Sequence, residues 1–200
     1  MSDESTKQVL LMIADISGYT EFIVSTDIEI EHSQKIITQL LNTIIEQIKI
    51  PLEISKLEGD AVFLYAVKNN EKNTWQHVRK LVGEKLLLFF EVFHDKLTEM
   101  KQNDSCSCGA CSNIDVLKLK IVIHSGEALF YYIQQFYELS GKDVILIHRL
   151  TKNSVASDEY ILMTEPAYSD IEFPSQIGTQ EGIENYEHFG DIKTLVYYPQ

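Results

Sequence analysis

The feature that most constrains the fold is a pair of apolar segments, each with an aspartate at one end beside a glycine. Residues 9–14 form a continuous apolar run that ends at Asp15, and Gly59-Asp60 directly precedes a second apolar run. Such a run is typical of a strand buried on both faces. Each aspartate is therefore expected at the end of a rigid strand. If the two strands are neighbours in one sheet, the two carboxylates form a candidate divalent-cation site.

Length and charge limit the classes of function that we expect. A chain of 200 residues with 44% hydrophobic content suits one globular domain. The net charge of −13 disfavours nucleic acid or an anionic membrane as a partner, because phosphates need clustered lysines and arginines. The acidic start does not resemble a secretory signal and the apolar runs are too short to span a bilayer, so we expect a cytoplasmic protein.

Hydrophobic periodicity predicts alternating strands and helices. Helical spacing predicts helices over residues 29–48, 75–101 and 142–153. The order β-α-β-β-α-β-β-α-β predicts an α+β sandwich of ferredoxin-like type, with helices on one face of a mostly antiparallel sheet. Residues 1–8 are expected to be a disordered acidic tail, and residues 9–200 to form a single domain.

Three cysteines, Cys106, Cys108 and Cys111, lie in a polar segment at residues 103–113. An odd, clustered count in a reducing compartment is a poor disulfide framework. Thiolates at this spacing suit Zn²⁺, which takes four tetrahedral ligands. The fourth ligand would come from a histidine such as His94, from water or from another subunit. The alternative interpretation is three ordinary reduced thiols on a loop.

Five segments, in order along the chain, resemble the signatures of class III nucleotidyl cyclase catalytic domains. They are Ile13-Ala-Asp-Ile-Ser-Gly-Tyr-Thr20, Lys56-Leu-Glu-Gly-Asp-Ala61, Lys120-Ile-Val-Ile-His-Ser-Gly-Glu-Ala128, Gly141-Lys-Asp-Val-Ile-Leu-Ile-His-Arg-Leu150 and Gly190-Asp-Ile-Lys-Thr194. Together they extend over nearly the whole chain. The resemblance implies a cyclase-like fold and a homodimer whose site forms between two protomers. The cysteine segment is an insertion relative to this pattern.

The resemblance also implies a metal site. Asp15 and Asp60 match the two metal-binding carboxylates, and the carbonyl of Ile16 completes the set that holds Mg²⁺ or Mn²⁺ with nucleotide phosphates. The alternative for Asp15 is a helix N-cap or turn residue after a strand. The alternative for Asp60 is ordinary Gly-Asp turn chemistry.

Further residues match substrate positions of the same family. Lys56 matches a purine-reading lysine, and Glu138 stands at the purine-pairing position, usually Asp or Thr. Arg149 matches the transition-state arginine, which would stabilise charge at the α-phosphate. The alternatives are a solvated strand residue for Lys56 and a structural ion pair for Arg149.

The chain departs from the family at two polar positions. The transition-state asparagine, four residues before Arg149, is Ile145, and the triphosphate-binding lysine of the closing hairpin corresponds to Phe189. Neither replacement can donate a side-chain hydrogen bond. Loss of the asparagine alone would remove about 2–4 kcal/mol of transition-state stabilisation.

Two functions remain open on this basis. The first is a divergent cyclase that binds a purine nucleotide through Mg²⁺ or Mn²⁺ and converts ATP or GTP to a 3′,5′-cyclic nucleotide weakly or not at all. The second is a catalytically inactive sensor or interaction module with the same fold. Another phosphoryl or nucleotidyl transfer is supported only by analogy of fold.

Overall fold

The computed structural model describes residues 4–24, 30–49, 51–68, 74–103 and 109–199. The described strands are β1 (Ser5–Ser17), β2 (Glu53–Glu58), β3 (Ala61–Val67), β4 (Lys118–Ile133), β5 (Phe136–Ser140), β6 (Tyr160–Thr164), β7 (Gln180–Tyr186) and β8 (Gly190–Tyr197). The described helices are α1 (Tyr19–Val24), α2 (Ile30–Glu46), α3 (Trp75–Asn103), α4 (Gly109–Ser112), α5 (Lys142–Leu150) and α6 (Glu165–Asp170), and a 3₁₀ turn covers Ile114–Val116.

The strands form one sheet in the order β2-β3-β1-β4-β6-β8-β7, and β5 pairs with β4 beside this path. Within the described residues every pairing is antiparallel except that of β4 with β6. This architecture confirms the predicted α+β fold with a mostly antiparallel sheet. It also makes β1 and β3 direct neighbours, which is the arrangement that a cation site formed by Asp15 and Asp60 requires.

Strand β1 lies near the centre of the sheet, and its residues 9–14 are all buried. The burial covers both faces because helices pack on each of them. Core residues of α2 and α3 pack on one face, whereas those of α5 pack on the other. The prediction of helices on a single face is therefore wrong for α5. Its apolar residues at positions 144, 146, 147 and 150 point toward the sheet, so the helix needs a sheet face of its own.

Several boundaries differ from the sequence prediction. Strand β1 begins at Ser5, inside the predicted tail, because its first residues pair with Glu127–Phe130 of β4. Helix α1 and strand β5 were not predicted, and α5 ends at Leu150. The inserted segment at residues 103–113 contains α4, and the 3₁₀ turn follows it, while Cys106 and Cys108 lie outside the described residues. Of the helices in the described part of the chain, none is both long and apolar enough to cross a membrane.

Candidate metal and nucleotide site

The two predicted metal-binding aspartates are held at the same end of two neighbouring strands. Asp15 pairs in register with Ala61, the first residue of β3, and the N–H of Ile16 donates to the carbonyl of Asp60 at 3.2 Å. The turn between β2 and β3 is tight, and Gly59 adopts a φ of 69° there. A glycine relieves the steric cost of that left-handed conformation. The turn therefore delivers Asp60 directly beside Asp15.

The electrostatic state of Asp60 reflects this proximity. Burial first, and the neighbouring Asp15 carboxylate second, raise the pKa of Asp60 to about 6. Both causes penalise the charged form, because a half-buried carboxylate loses water and faces a like charge. A cation placed between the two carboxylates would relieve both penalties. The negative charge of Asp60 is thus only partly compensated at this acidic corner, formed by Asp15 and Asp60.

Lys120 is a member of this corner that sequence reasoning missed. It pairs in register with Asp15 across β1 and β4, and its Nζ atom lies 2.9 Å from Oδ2 of Asp15. Burial is the largest cause and opposes the ammonium charge, but the charge and hydrogen bond of Asp15, together with Tyr160 and Asp60, outweigh it, so the pKa of Lys120 is raised. The signal was available in the alternation of lysines with apolar residues along β4. It becomes informative only once the register between β1 and β4 is known.

Lys56 and Glu138, the two residues predicted to read the base, lie close together in the structure. The Lys56 Nζ atom lies 3.4 Å from Oε2 of Glu138 and 3.9 Å from Oε1 of Glu58. The Oε1 atom of Glu58 in turn lies 3.2 Å from His148 Nε2 on α5. These contacts join β2, β5 and α5 on one surface.

Arg149 and Ile145 lie on the solvent side of α5. They line a surface cavity of about 340 Å³ together with Val144, His148 and Lys152. Arg149 is exposed, and within the described residues its guanidinium has no ion-pair partner. Ile145 is 54% exposed, an unusual state for a large apolar side chain. Neither residue contributes to the sheet-facing core of α5.

Phe189 occupies the β7–β8 turn and packs against the same apolar cluster as α5. Its N–H donates to the carbonyl of Tyr186 at 3.0 Å. Phe189, the residue that the sequence resemblance matches to a phosphate-binding lysine, is therefore an apolar anchor in this structure.

His124 is a buried core residue. Its Nδ1 atom lies 3.0 Å from Thr164 Oγ1, and its Nε2 atom lies 3.4 Å from Oδ1 of Asp143. Asp143 also accepts from the N–H of Glu127 at 2.7 Å, so it joins α5 to β4. Burial lowers the pKa of His124. These contacts assign His124 to the packing of α5 and not to the acidic corner.

The described part of the cysteine segment contacts His32 and not His94, the histidine that the sequence analysis gave as an example of a fourth ligand. Cys111 Sγ lies 3.6 Å from His32 Nε2 on α2. His94 is instead paired with Glu159, at 2.6 Å. Among the described residues, no group of three or more His, Cys, Asp or Glu side chains is arranged to hold a metal ion.

Comparison with solved structures defines the class of fold. The chain is similar to the adenylyl cyclase CyaB from P. aeruginosa, with a TM-score of 0.74, 16% identity, and coverage of 99% of this chain and 97% of that one. It is also similar to the guanylate cyclase domain of RhGC from Catenaria anguillulae, solved with GTP, with a TM-score of 0.65, 15% identity, and coverage of 98% and 99%. The fold is that of class III nucleotidyl cyclase catalytic domains.

The family is defined by sequence. The model of a family described as "Protein of unknown function (DUF2652)" matches residues 37–160, and the chain belongs to this family. One curated relative, "Uncharacterized protein Rv2561/Rv2562" of Mycobacterium tuberculosis, is 35% identical over 127 residues. That match covers 64% of this chain and 56% of the relative, so the chain corresponds to little more than half of the relative's length.

Proposed function

We propose that this protein binds a purine nucleotide through a divalent cation at the Asp15–Asp60 corner and cyclises it weakly or not at all. The proposal is carried by one observation: the two aspartates lie side by side at the same end of the neighbouring strands β1 and β3, and the pKa of Asp60 is raised. The similarity to cyclase domains such as CyaB, and to a guanylate cyclase domain solved with GTP, supports the choice of a purine nucleotide.

The residues of the corner fit a hard divalent cation. Two carboxylates and the backbone carbonyl of Ile16 are oxygen ligands of the kind that Mg²⁺ and Mn²⁺ take. Mg²⁺ usually keeps several waters and is held by one or two carboxylates plus substrate phosphates, so a third acidic side chain is not required. When bound, the cation would offset phosphate charge and activate a ribose hydroxyl. Lys120 adds an ammonium beside the same corner.

Lys56 and Glu138 are proposed to read the base. An ammonium donor 3.4 Å from a carboxylate acceptor can pair with adjacent acceptor and donor groups on a purine edge. Both adenine and guanine present such groups, so this pair does not by itself select one of them.

Weak or absent cyclisation follows from the residues on α5 and in the closing hairpin. Ile145 has no group that can orient a ribose, and Phe189 is an apolar anchor that contributes no positive charge. Arg149 remains exposed and able to contact a phosphate held by another protomer.

A homodimer is part of the proposal. Large exposed apolar side chains occur on β2, on the β4–β5 hairpin and on α5. Helix α5 contacts β5, so its exposed Ile145 lies near the exposed apolar side chains of the hairpin, which are Leu129, Tyr132, Ile133, Phe136 and Tyr137. On β2, Ile54 and Leu57 pair with Leu64 and Val62 and therefore face the side of the sheet that α2 and α3 cover. Burying the surface of the hairpin and α5 against a second copy would remove it from water and bring Arg149 of one protomer toward the acidic corner of the other.

Calorimetric titration with Mn²⁺ and non-hydrolysable analogues of ATP and GTP, paired with a cyclisation assay, tests the proposal. We expect Mn²⁺-dependent binding that is lost in Asp15→Asn and kept in Asp95→Asn, an exposed aspartate on α3 across the sheet. Fast turnover would refute weak cyclisation. Absence of nucleotide binding in a well-folded dimer would favour the alternative, a catalytically inactive interaction module.

We also propose a structural zinc site formed by Cys106, Cys108 and Cys111, with His32 as the fourth ligand. The supporting contact is the 3.6 Å between Cys111 Sγ and His32 Nε2. With Zn–S near 2.3 Å and Zn–N near 2.0 Å, a thiolate and an imidazole on one tetrahedral zinc lie about 3.5 Å apart, close to the observed distance.

Elemental analysis of protein purified without chelator tests this site. One zinc per chain is expected in the wild type, with loss in the triple Cys→Ser variant and weaker retention in His32→Gln. His188→Gln, at an exposed histidine, is the matched control. Equal zinc content in wild type and triple variant would contradict the site.

A further inference from the structure

A groove outside the proposed nucleotide site lies near the β7 edge of the sheet, between α6 and the hairpin β7–β8. Its volume of about 750 Å³ is within the range of small-molecule pockets. Strands β4 and β6 lie between this hairpin and β1, which carries Asp15. Helix α6 packs on the same sheet face as α2 and α3, whereas α5, which carries Arg149, packs on the other. The groove is therefore a separate place for a ligand.

Strand register determines which side chains form the floor of the groove. Leu195 pairs with Met163 of β6 and with Glu181 of β7, and Lys193 pairs with Ile183. Directly paired residues of antiparallel strands, and alternate residues along one strand, point to the same side of a sheet. The four groove residues therefore share the sheet face of Met163. They combine apolar surface, much of it open to solvent because Ile183 is 64% exposed, with one residue of each charge.

Helix α6 forms the wall of the groove and is held in place from outside. It lines the groove with Glu165, Tyr168 and Ser169. From α3, Arg79 donates to the carbonyl of Ser169 at 3.0 Å and to that of Asp170 at 3.2 Å. These are carbonyls that the last turn of a helix leaves without an intrahelical partner. The groove is thus formed before any ligand binds, and Tyr168 places an aromatic ring beside the apolar floor.

The charges of the groove favour one added cation. Glu165 lies 3.7 Å from Lys193, and both side chains are mostly exposed, so this pair is weak and exchangeable. Glu181 has no ion-pair partner within the described part of the chain. Two carboxylates and one ammonium leave a single negative charge beside apolar and aromatic surface. A ligand ammonium would offset that charge, and a nearby aromatic ring also attracts cations.

We propose that this groove binds a primary amine with an apolar body, of which an arylalkylamine is the simplest example. The ammonium pairs with Glu181, and the apolar body covers Ile183 and Leu195 against the ring of Tyr168. The same charge count disfavours an anion, and a neutral compound of the same shape leaves Glu181 unpaired. The inference does not depend on the proposed nucleotide function, because the groove is lined by residues of α6, β7 and β8.

Titration of the isotope-labelled protein with phenethylamine, followed by the chemical shifts of backbone amides, tests the site. Neutral pH keeps the ligand ammonium and the glutamates charged. We expect shifts confined to α6, β7 and β8. Phenethyl alcohol and phenylpropionate have a similar shape without the ammonium. They should bind at least about tenfold more weakly, because a charge-assisted hydrogen bond is lost.

Two variants at exposed positions separate charge from apolar contact. Glu181→Gln should weaken the binding of phenethylamine about tenfold and leave that of phenethyl alcohol unchanged. Ile183→Ser should weaken the binding of both compounds, because both cover the same apolar surface. Glu46→Gln, at an exposed glutamate on α2, is the matched control and should bind phenethylamine as the wild type does.

Several results would overturn the proposal. Binding of the alcohol or the carboxylate as tight as that of the amine, or unchanged amine binding in Glu181→Gln, would remove the role of the ammonium. Shifts at Asp15 and Asp60 without shifts in the groove would assign the amine to the acidic corner. Absence of shifts with all three compounds at millimolar concentration would show that the groove does not bind this class of ligand.

Discussion

The Nζ atom of Lys56 on β2 lies 3.4 Å from Oε2 of Glu138 on β5, although these two strands are not paired in the sheet. The two residues are 82 positions apart in the chain. A donor and an acceptor side by side on an exposed surface cost little to hold and remain free to exchange with a ligand. This contact provides a direct test of base recognition.

Lys56→Met and Glu138→Gln are each expected to weaken purine nucleotide binding about tenfold, because each removes one charge-assisted hydrogen bond to the base. The free energy of unfolding should change by less than about 1 kcal/mol, since exposed ion pairs contribute little. Calorimetry and denaturant unfolding measure the two quantities. Lys96→Met, which breaks a Lys96–Glu99 pair on α3, is the control and should leave nucleotide affinity unchanged.

Ile145→Asn is expected to raise cyclisation about 10²–10³-fold over any wild-type rate, because it restores a hydrogen-bonding side chain at the position that orients the ribose. Stability should be little affected, since the Ile145 side chain is 54% exposed. Ile145→Ala is the control: it removes the same apolar group without adding a donor. Equal rates in the Asn and Ala variants would show that the lost asparagine does not limit turnover.

Much of the fold was predictable because the strongest signals are local. The apolar run at residues 9–14 identified a strand buried on both faces, and helical periodicity identified α2 and α3. The positions of Asp15 and Asp60 followed from strand ends and a glycine turn. Each of these predictions needed only the spacing of residues within one segment.

The remaining features depend on contacts between distant segments. The contact of Lys120 with Asp15 requires the register between β1 and β4, and the contact of Cys111 with His32 requires the packing of α2 beside the inserted segment. The position of α5 on the opposite face depends on the order of strands. Spacing within one segment could not reveal these relationships, because each depends on how two distant segments pair or pack.

Asp60 should make stability depend on pH. Its pKa rises from 3.8 to about 6 on folding, so the folded state binds more protons between these values and stability falls as pH rises through them. Above about pH 6, Asp60→Asn should therefore be more stable than the wild type, by about 1–2 kcal/mol after allowance for solvent screening. Thermal unfolding across pH measures the difference, which should shrink below about pH 4.

Metal binding supplies the complementary result. Mn²⁺ affinity of the wild type should fall as pH drops through about 6, because protonated Asp60 is not a ligand. A pH-independent affinity would contradict the assignment of Asp60 to the cation.

The contribution of His124 to stability should depend on pH with the opposite sign to that of Asp60. Burial lowers its pKa below the ordinary value of 6.5, so the unfolded state binds more protons and stability falls as pH drops below 6.5. His124→Gln should flatten this decline while leaving the Asp60 contribution intact. Denaturant unfolding of the single and double variants with Asp60→Asn separates the two effects. If the stability of His124→Gln falls with decreasing pH as steeply as that of the wild type, another group causes the fall.

The two glycines beside the aspartates should differ in their tolerance to substitution. Both adopt a positive φ, 80° at Gly18 and 69° at Gly59, so alanine costs about 1–2 kcal/mol of backbone strain at each. A Cβ at Gly18 would lie 2.3 Å from the backbone oxygen of Val116, whereas nothing lies within 4 Å of one at Gly59. Backbone must therefore shift only for Gly18→Ala.

We accordingly expect Gly18→Ala to lower the free energy of unfolding by at least about 1 kcal/mol more than Gly59→Ala does. Urea unfolding measures both variants under the same conditions. Gly59→Ala should keep Mn²⁺ binding, because the turn has room for a methyl group. Gly18→Ala should weaken it, because the required shift of the segment after β1 displaces Asp15. Equal destabilisation by both variants would mean that the backbone at Val116 can shift with no loss of stability. The segment containing Val116 would then not hold the end of β1 in place.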